Sequence, residues 1–194
     1  MRKIIIDTDP GQDDALAMMT AFGAKKDLNV LGVTCVAGNV PLDLTSVNAL
    51  KICELSGFFS VPVFRGSPAP LKRKLITAEH VHGKTGLDGT DLSVKKKELE
   101  RTDAVDFIIE CTEKYRDEKI TICALGPLTN VAKVLKKDSV LTESIEEIVL
   151  MGGGFFEGGN ITPAAEFNTV SYTHLTPADE DLRVYIGGGR VSKK

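Results

Sequence analysis

Four carboxylates stand within eight residues near the start of the chain, Asp7, Asp9, Asp13 and Asp14, with Pro10 and Gly11 bending the backbone between the two pairs. Like charges this close raise one another's energy unless a cation offsets them. Oxygen donors select a hard cation, and Ca²⁺, which takes about 6–8 oxygens from carboxylates, carbonyls and water, tolerates irregular loop geometry better than Mg²⁺. The competing use is structural: Asp13 or Asp14 also suits the positive end of a following helix. A DxDPGxDD arrangement at a strand end is more than helix capping requires.

Other features carry weaker chemistry. His80 and His82 form an HxH pair in a polar stretch without the further His or Cys that a transition metal would need, so a substrate-side role is expected for His82. The glycines at 152–154 and 158–159 match neither GxGxxG nor a Walker loop and read as tight turns beside a pocket. Lys95–Lys97 and Lys136–Lys137 sit in stretches of mixed charge and read as solvated faces.

The elements that must position these residues follow from periodicity. Ile4–Ile6 is a β-branched run ending at Asp7, a buried strand. The spacing from Asp13 predicts a mostly buried helix stopping near Gly23, then a strand over Val30–Val36 and a helix over Leu42–Leu55. A third strand is predicted over Val61–Phe64, and residues 66–102 read as a long loop with one short helix. Ala104–Tyr115 is helical, Ile120–Leu125 a strand, Leu128–Leu135 a helix and Ile145–Met151 a strand. This alternation predicts an α/β fold with an open, mainly parallel sheet flanked by helices, whose ligands bind beyond the carboxyl ends of its strands. Asp9, Asn39, Leu125 and Met151 all fall at such ends.

Composition narrows the function classes. At 194 residues the chain is long enough for one packed core without disulfides or zinc. Lys and Arg number 24 against 27 Asp and Glu, a net charge of −3, and no basic stripe offers phosphate neutralisation, so nucleic acid is not an expected partner. Cys35, Cys53, Cys111 and Cys123 lie apart in apolar stretches without metal spacing, which fits a reducing cytoplasm. The apolar run after Lys3 is too short for a signal peptide or a membrane span.

The run Asp7-Thr8-Asp9-Pro10-Gly11-Gln12-Asp13-Asp14-Ala15 resembles the signature of the inosine-uridine preferring nucleoside hydrolase family. The resemblance continues through Gly38-Asn39, His82-Gly83-Lys84-Thr85-Gly86-Leu87-Asp88-Gly89, Leu125-Gly126-Pro127-Leu128-Thr129-Asn130, Val149–Gly154, Gly159-Asn160 and Ala165–Asn168, covering residues 1–168. It implies a Rossmann-like nucleoside hydrolase fold and Ca²⁺-dependent hydrolysis of the N-glycosidic bond of ribonucleosides to ribose and free base, a reaction of nucleoside catabolism and salvage. It further implies that Asp9, Asp14 and the main-chain carbonyl of Leu125 hold Ca²⁺, and that Asp9 takes the proton of the attacking water. Asp13 and Asn39 would bond the ribose hydroxyls, Asn160, Glu166 and Asn168 would grip the sugar, and Met151 would lie against it. A small-molecule ribonucleoside is the expected substrate, and intact members are expected to be homo-oligomers.

After Asn168 the resemblance stops. Where the family continues into an Asp-Pro-Glu-Ala-Ala helix start, this chain reads Thr169-Val170-Ser171-Tyr172-Thr173-His174, so residues 169–194 are expected to be a tail outside the family pattern, as from a frameshift or chimeric junction. A C-terminally truncated, inactive fragment is the expectation, with purine or pyrimidine preference left open. Two rival readings remain: a haloacid-dehalogenase-like Mg²⁺-dependent phosphatase with Asp7 as nucleophile, disfavoured because Gly11 stands where that family has Thr or Val, and a non-catalytic ribose-binding remnant.

Overall fold

The β-branched run near the N terminus forms the central strand β1 (Arg2–Thr8) of the computed structural model, which describes residues 1–137, 143–153, 158–160, 166–170, 184–186 and 189–190. It is followed by α1 (Gln12–Gly23), β2 (Leu28–Cys35), α2 (Leu42–Leu55), β3 (Val63–Arg65) and the short α3 (Glu79–His82). Then come α4 (Ala104–Lys114), β4 (Ile120–Ala124), α5 (Thr129–Lys137), β5 (Ile145–Leu150), α6 (Phe167–Val170), β6 (Val184–Ile186) and β7 (Gly189–Arg190). Their order across the sheet is β3-β2-β1-β4-β5-β6-β7, parallel throughout except for the β6–β7 pair. The expected open, mainly parallel sheet is therefore present.

Strand order explains where a ligand can sit. From β1 the chain moves outward through β2 and β3, then returns to place β4 on the other side of β1. Crossovers diverge between β1 and β4, opening a crevice at their carboxyl ends.

Side-chain alternation in β1 divides the core. Ile5 packs with α4, α5, β4 and β5, among Ile108, Val131, Ile122 and Ile148. Ile4 and Ile6 face the opposite way, among Met18 and Phe22 of α1 and Ala49 and Ile52 of α2. A register shift helps β2 keep both faces apolar: Ile4 pairs with Val30 and Ile5 with Gly32, so Leu31 is the extra residue. Leu31 accordingly turns toward the first cluster while Val33 and Cys35 join the second.

The helix predicted as mostly buried buries only the stripe Asp14, Ala15, Met18 and Phe22; Leu16 is 64% exposed and Met19 also faces outward. One helix face suffices to cover a sheet, and apolar residues off that face stay wet. The cysteines behave as expected of small hydrophobes: all four are free, and burial pushes the Cys53, Cys111 and Cys123 thiols up to about 11. Among the described residues no helix is long and apolar enough to cross a membrane.

Phe107 of α4 stacks on Phe64 of β3 with ring centroids 3.8 Å apart. Phe107→Ala should lower the unfolding free energy by about 3–5 kcal/mol, read as a shift of the urea midpoint at unchanged slope. A loss below about 1 kcal/mol would show that this contact is not part of the core.

Candidate active site

Asp9 leaves the carboxyl end of β1 with a side chain only 1% exposed. Its Oδ2 accepts the Asn39 N–H at 2.7 Å, and its carbonyl accepts Asn39 Nδ2 at 3.0 Å. Two glycines wall the carboxylate: a Cβ at Gly38 would lie 2.0 Å from Asp9 Oδ2, and one at Gly126 would lie 2.5 Å from Oδ1. Any side chain there would occupy the space of the carboxylate.

Asp14, on the first turn of α1, accepts the Thr8 hydroxyl at Oδ1 (2.6 Å) and the Gly11 N–H at Oδ2 (3.2 Å). The capping use and the cluster use thus coexist in one residue, because the first turn of α1 starts inside the cluster. Asn39 Nδ2 lies 3.4 Å from the same Asp14 oxygen, so one amide touches both buried acids. Asp13 is exposed, and its Oδ1 lies 4.0 Å from His82 Nδ1, beyond hydrogen-bond distance. His82 Nδ1 is buried without a partner among the described residues.

The opposite wall is built after β5. Asn168 donates Nδ2 to the carbonyls of Leu125 (2.8 Å) and Met151 (3.0 Å), tying the ends of β4 and β5 together. Glu166 Oε2 accepts the N–H groups of Gly153 (3.2 Å), Asn168 (3.0 Å) and Thr169 (3.2 Å). Asn160 Oδ1 accepts the Phe167 N–H at 2.8 Å. The glycines read as tight turns divide here: Gly153 and Gly158 have positive φ, while Gly154 lies outside the described residues.

These walls enclose a cleft of about 220 Å³. It brings together Asp9, Asp13, Asn39, His82, Met151, Asn160, Glu166 and Asn168 of the expected site residues. Asp14 and the Leu125 carbonyl do not line it; they reach it through Asn39 and Asn168. His80 and Phe167 also line the cleft, although nothing in their types or spacing assigned them there. Thr8 and Asn130 stand in the quoted motifs without an assigned role and Thr34 lies outside them, since a hydroxyl or amide that serves a buried acid leaves no signal of that role in the sequence. Asp7 is wholly buried and does not line the cleft, so it lacks the surface that a phosphatase nucleophile requires.

Burial, with Asp14 beside it, holds the Asp9 carboxyl well above the usual carboxylate range, against the pull of the Asn39 N–H. Burial also raises Asp14, opposed first by the Thr8 hydroxyl, and burial raises Asp7 to about 6 against its Asn130 and Thr34 bonds. Hydrogen bonds alone therefore do not compensate these acids. Among the described residues no three His, Cys, Asp or Glu side chains converge as a metal cluster. The carboxylates of Asp9 and Asp14 and the Leu125 carbonyl are all oxygen donors, a chemistry that would suit a hard cation rather than zinc.

A family profile described as inosine-uridine preferring nucleoside hydrolase matches residues 4–171. The chain is 46% identical over 167 residues to Uridine nucleosidase 1 of Arabidopsis thaliana, covering 86% of this chain and 49% of that protein. It is likewise 46% identical over 167 residues to the pyrimidine-specific ribonucleoside hydrolase RihB of Escherichia coli O9:H4, covering 86% and 52%. Among solved structures, the plant nucleoside hydrolase PpNRh1 superposes with a TM-score of 0.84 at 35% identity, covering 95% of this chain and 59% of that one. The chain spans about half the length of the curated relatives it matches. A profile running from the first residues of β1 past α6, together with a shared fold, means that the chain belongs to the inosine-uridine preferring nucleoside hydrolase family.

Proposed function

We propose that this chain carries the ribose-binding and cation-binding part of a hydrolase that cleaves the N-glycosidic bond of ribonucleosides with Ca²⁺. In this reading residues 1–168 are the N-terminal part of the hydrolase domain and residues 169–194 a segment outside the family pattern. The observation that carries it is the convergence of eight expected site residues on one cleft at the switch point of the sheet.

The roles follow from which atoms are already used. Among the described residues, structural bonds occupy Asn39 Nδ2, Asn168 Nδ2, Asn160 Oδ1 and Glu166 Oε2. Among the described residues the other half of each group has no partner: Asn39 Oδ1, Asn168 Oδ1 and Glu166 Oε1 as acceptors and Asn160 Nδ2 as a donor. That mixture suits vicinal sugar hydroxyls, each of which donates and accepts. Asp13, exposed at the rim, adds a further acceptor, and Met151 supplies an apolar surface for the sugar.

Asp9, Asp14 and the Leu125 carbonyl would hold the cation. When bound, it supplies positive charge that relieves the two buried acids and makes a nearby water more acidic. Asp9, oriented by Asn39 N–H and by the glycine walls, accepts the proton of the attacking water. Carboxylates and amides around the ring favour the positive charge that grows on the sugar as the bond to the base breaks. His82, on α3 beside Asp13 and Gly11, would take a substrate-side role.

Ca²⁺ and ribose binding are to be measured on the 194-residue chain, and turnover on a protein in which residues 1–168 continue to the length of the relatives. Inosine or uridine should be cleaved, their 2′-deoxy forms far more slowly, and Asp9→Asn should reduce turnover by at least about 10²-fold. Comparable rates on inosine and 2′-deoxyinosine would sink the reading, as would Mg²⁺-dependent release of phosphate from a phosphomonoester without nucleoside cleavage.

Stability supplies a second check. Asp9 has a folded-state pKa above its unfolded one, so the stability from its protonated form is present below the usual carboxylate range and is lost as pH rises. In chelator, Asp9→Asn should therefore melt above the parent chain at pH 8, by about 2–4 °C for each kcal/mol recovered, with the gap closing toward pH 4. Added Ca²⁺ should raise the parent chain and leave Asp9→Asn nearly unmoved. A gap that does not change with pH would contradict the burial of an unrelieved charge at Asp9.

A further inference from the structure

Asn130, at the start of α5, makes more structural contacts than any role in the cleft accounts for. It is wholly buried. Its Nδ2 donates to Asp7 Oδ1 at 2.8 Å and to the Cys35 carbonyl at 3.0 Å, and its Oδ1 accepts the Ser67 N–H at 2.8 Å. One amide thus joins β1, the end of β2, the loop after β3 and α5. Asp7 Oδ1 takes a second bond from Thr34 at 2.6 Å, which holds the acid in the orientation Asn130 needs.

Both ends of this network run to Asp9. On one side the Ser67 carbonyl accepts the Ala37 N–H at 3.0 Å, fixing the backbone just before Gly38 and Asn39. Gly38 walls Asp9 Oδ2 and Asn39 N–H bonds to it. On the other side the Asp7 carbonyl accepts the Leu125 N–H at 2.7 Å, setting the peptide that leads to Gly126, the second wall. The Asp9 carboxylate therefore has both walls tied back to the Asp7–Asn130 pair.

We infer that Asn130, with the Asp7 side chain as its partner, is a positioning residue for the Asp9 site: it touches no ligand but fixes the two backbone segments between which the Asp9 carboxylate is held. The consequence for catalysis rests on the proposed reading of Asp9 as cation ligand and base; the positioning itself does not. A substitution at Asn130 should loosen the Asn39–Asp9 bond selectively, before the sheet itself is weakened.

The test uses the 194-residue chain and two observables. Amide hydrogen exchange at Asn39 is followed in the parent, in Asn130→Ala and in Ile108→Val, a core change on α4 outside this network, in urea chosen so that both variants have equal global stability. Exchange at Asn39 should be faster in Asn130→Ala than in Ile108→Val by at least about tenfold, the scale set by losing buried hydrogen bonds. Ca²⁺ titrated as the metal alone should bind the Asn130 variant at least about tenfold more weakly than Ile108→Val. Should the alanine variant not fold, Asn130→Ser, which keeps a polar group but is too short to join Asp7 to Ser67, is compared in the same way. Equal exchange at Asn39 in the two stability-matched variants would overturn the inference. A parent chain that takes up no Ca²⁺ would overturn the cation reading instead, and the exchange comparison would still decide the role of Asn130.

Discussion

Burying three carboxylates in one stretch of backbone is the constraint from which the site takes its shape. Asp7 and Asp9 flank the last residue of β1, and Asp14 follows on the first turn of α1; all three are shielded from solvent. An ionised carboxylate out of water is tolerable only with donors or a cation close by. The surrounding residues answer that demand: hydroxyls from Thr8 and Thr34, amides from Asn39 and Asn130, and main-chain N–H groups from Gly11 and Asn39. The answer is incomplete, since all three acids remain raised and Asp7 Oδ2 has no partner among the described residues.

The sheet decides which elements can supply those donors. Because β1 lies between β2 and β4, residues from both directions of winding reach its carboxyl end without long loops. Asn39 and the glycine wall at 38 come from the β2 side, while Leu125, Gly126 and Asn130 come from the β4 side. A meander would present neighbours from one winding direction only. The parallel crossover arrangement is therefore what lets a single carboxylate be gripped from two sides.

Much of this was legible in the sequence, and the exceptions have physical reasons. β-branched runs and helical spacing located the principal elements because burial on both sheet faces demands continuous apolar strands. Asp9 and Asp14 announced themselves by crowding. What local pattern could not reveal was direction: Leu16 and Met19 look like core residues until the sheet selects another face of α1. Nor could it reveal backbone use. Lys95, Lys96 and Lys97 read as a solvated face, and Lys95 and Lys96 are indeed exposed, but their three N–H groups converge on the Glu54 carboxylate at 2.6–3.1 Å. The role of Asn130, which stands in a motif shared with the family, was unreadable for a related reason, because its partners lie 63 to 123 residues away in sequence.

The Glu54 clamp bears on the long segment between β3 and α4, which would otherwise be the least ordered part of the fold. Ser67 is held by Ala37, Ala78 by Asn39, Thr85 by Asn48, Lys95–Lys97 by Glu54, and Glu100 by Val63. Each anchor divides the segment into shorter arcs. The closure entropy of a loop grows only slowly with its length, so several short arcs closed on a rigid body are ordered mainly by their anchors rather than by burial of their own side chains. Apart from Asn130 of α5, which also holds Ser67, the anchors lie on α2, β3 or the β2–α2 turn. His80 and His82 are thus carried by the same body as Asn39, and the geometry of that wall of the cleft is inherited from the packing of α2 against the sheet.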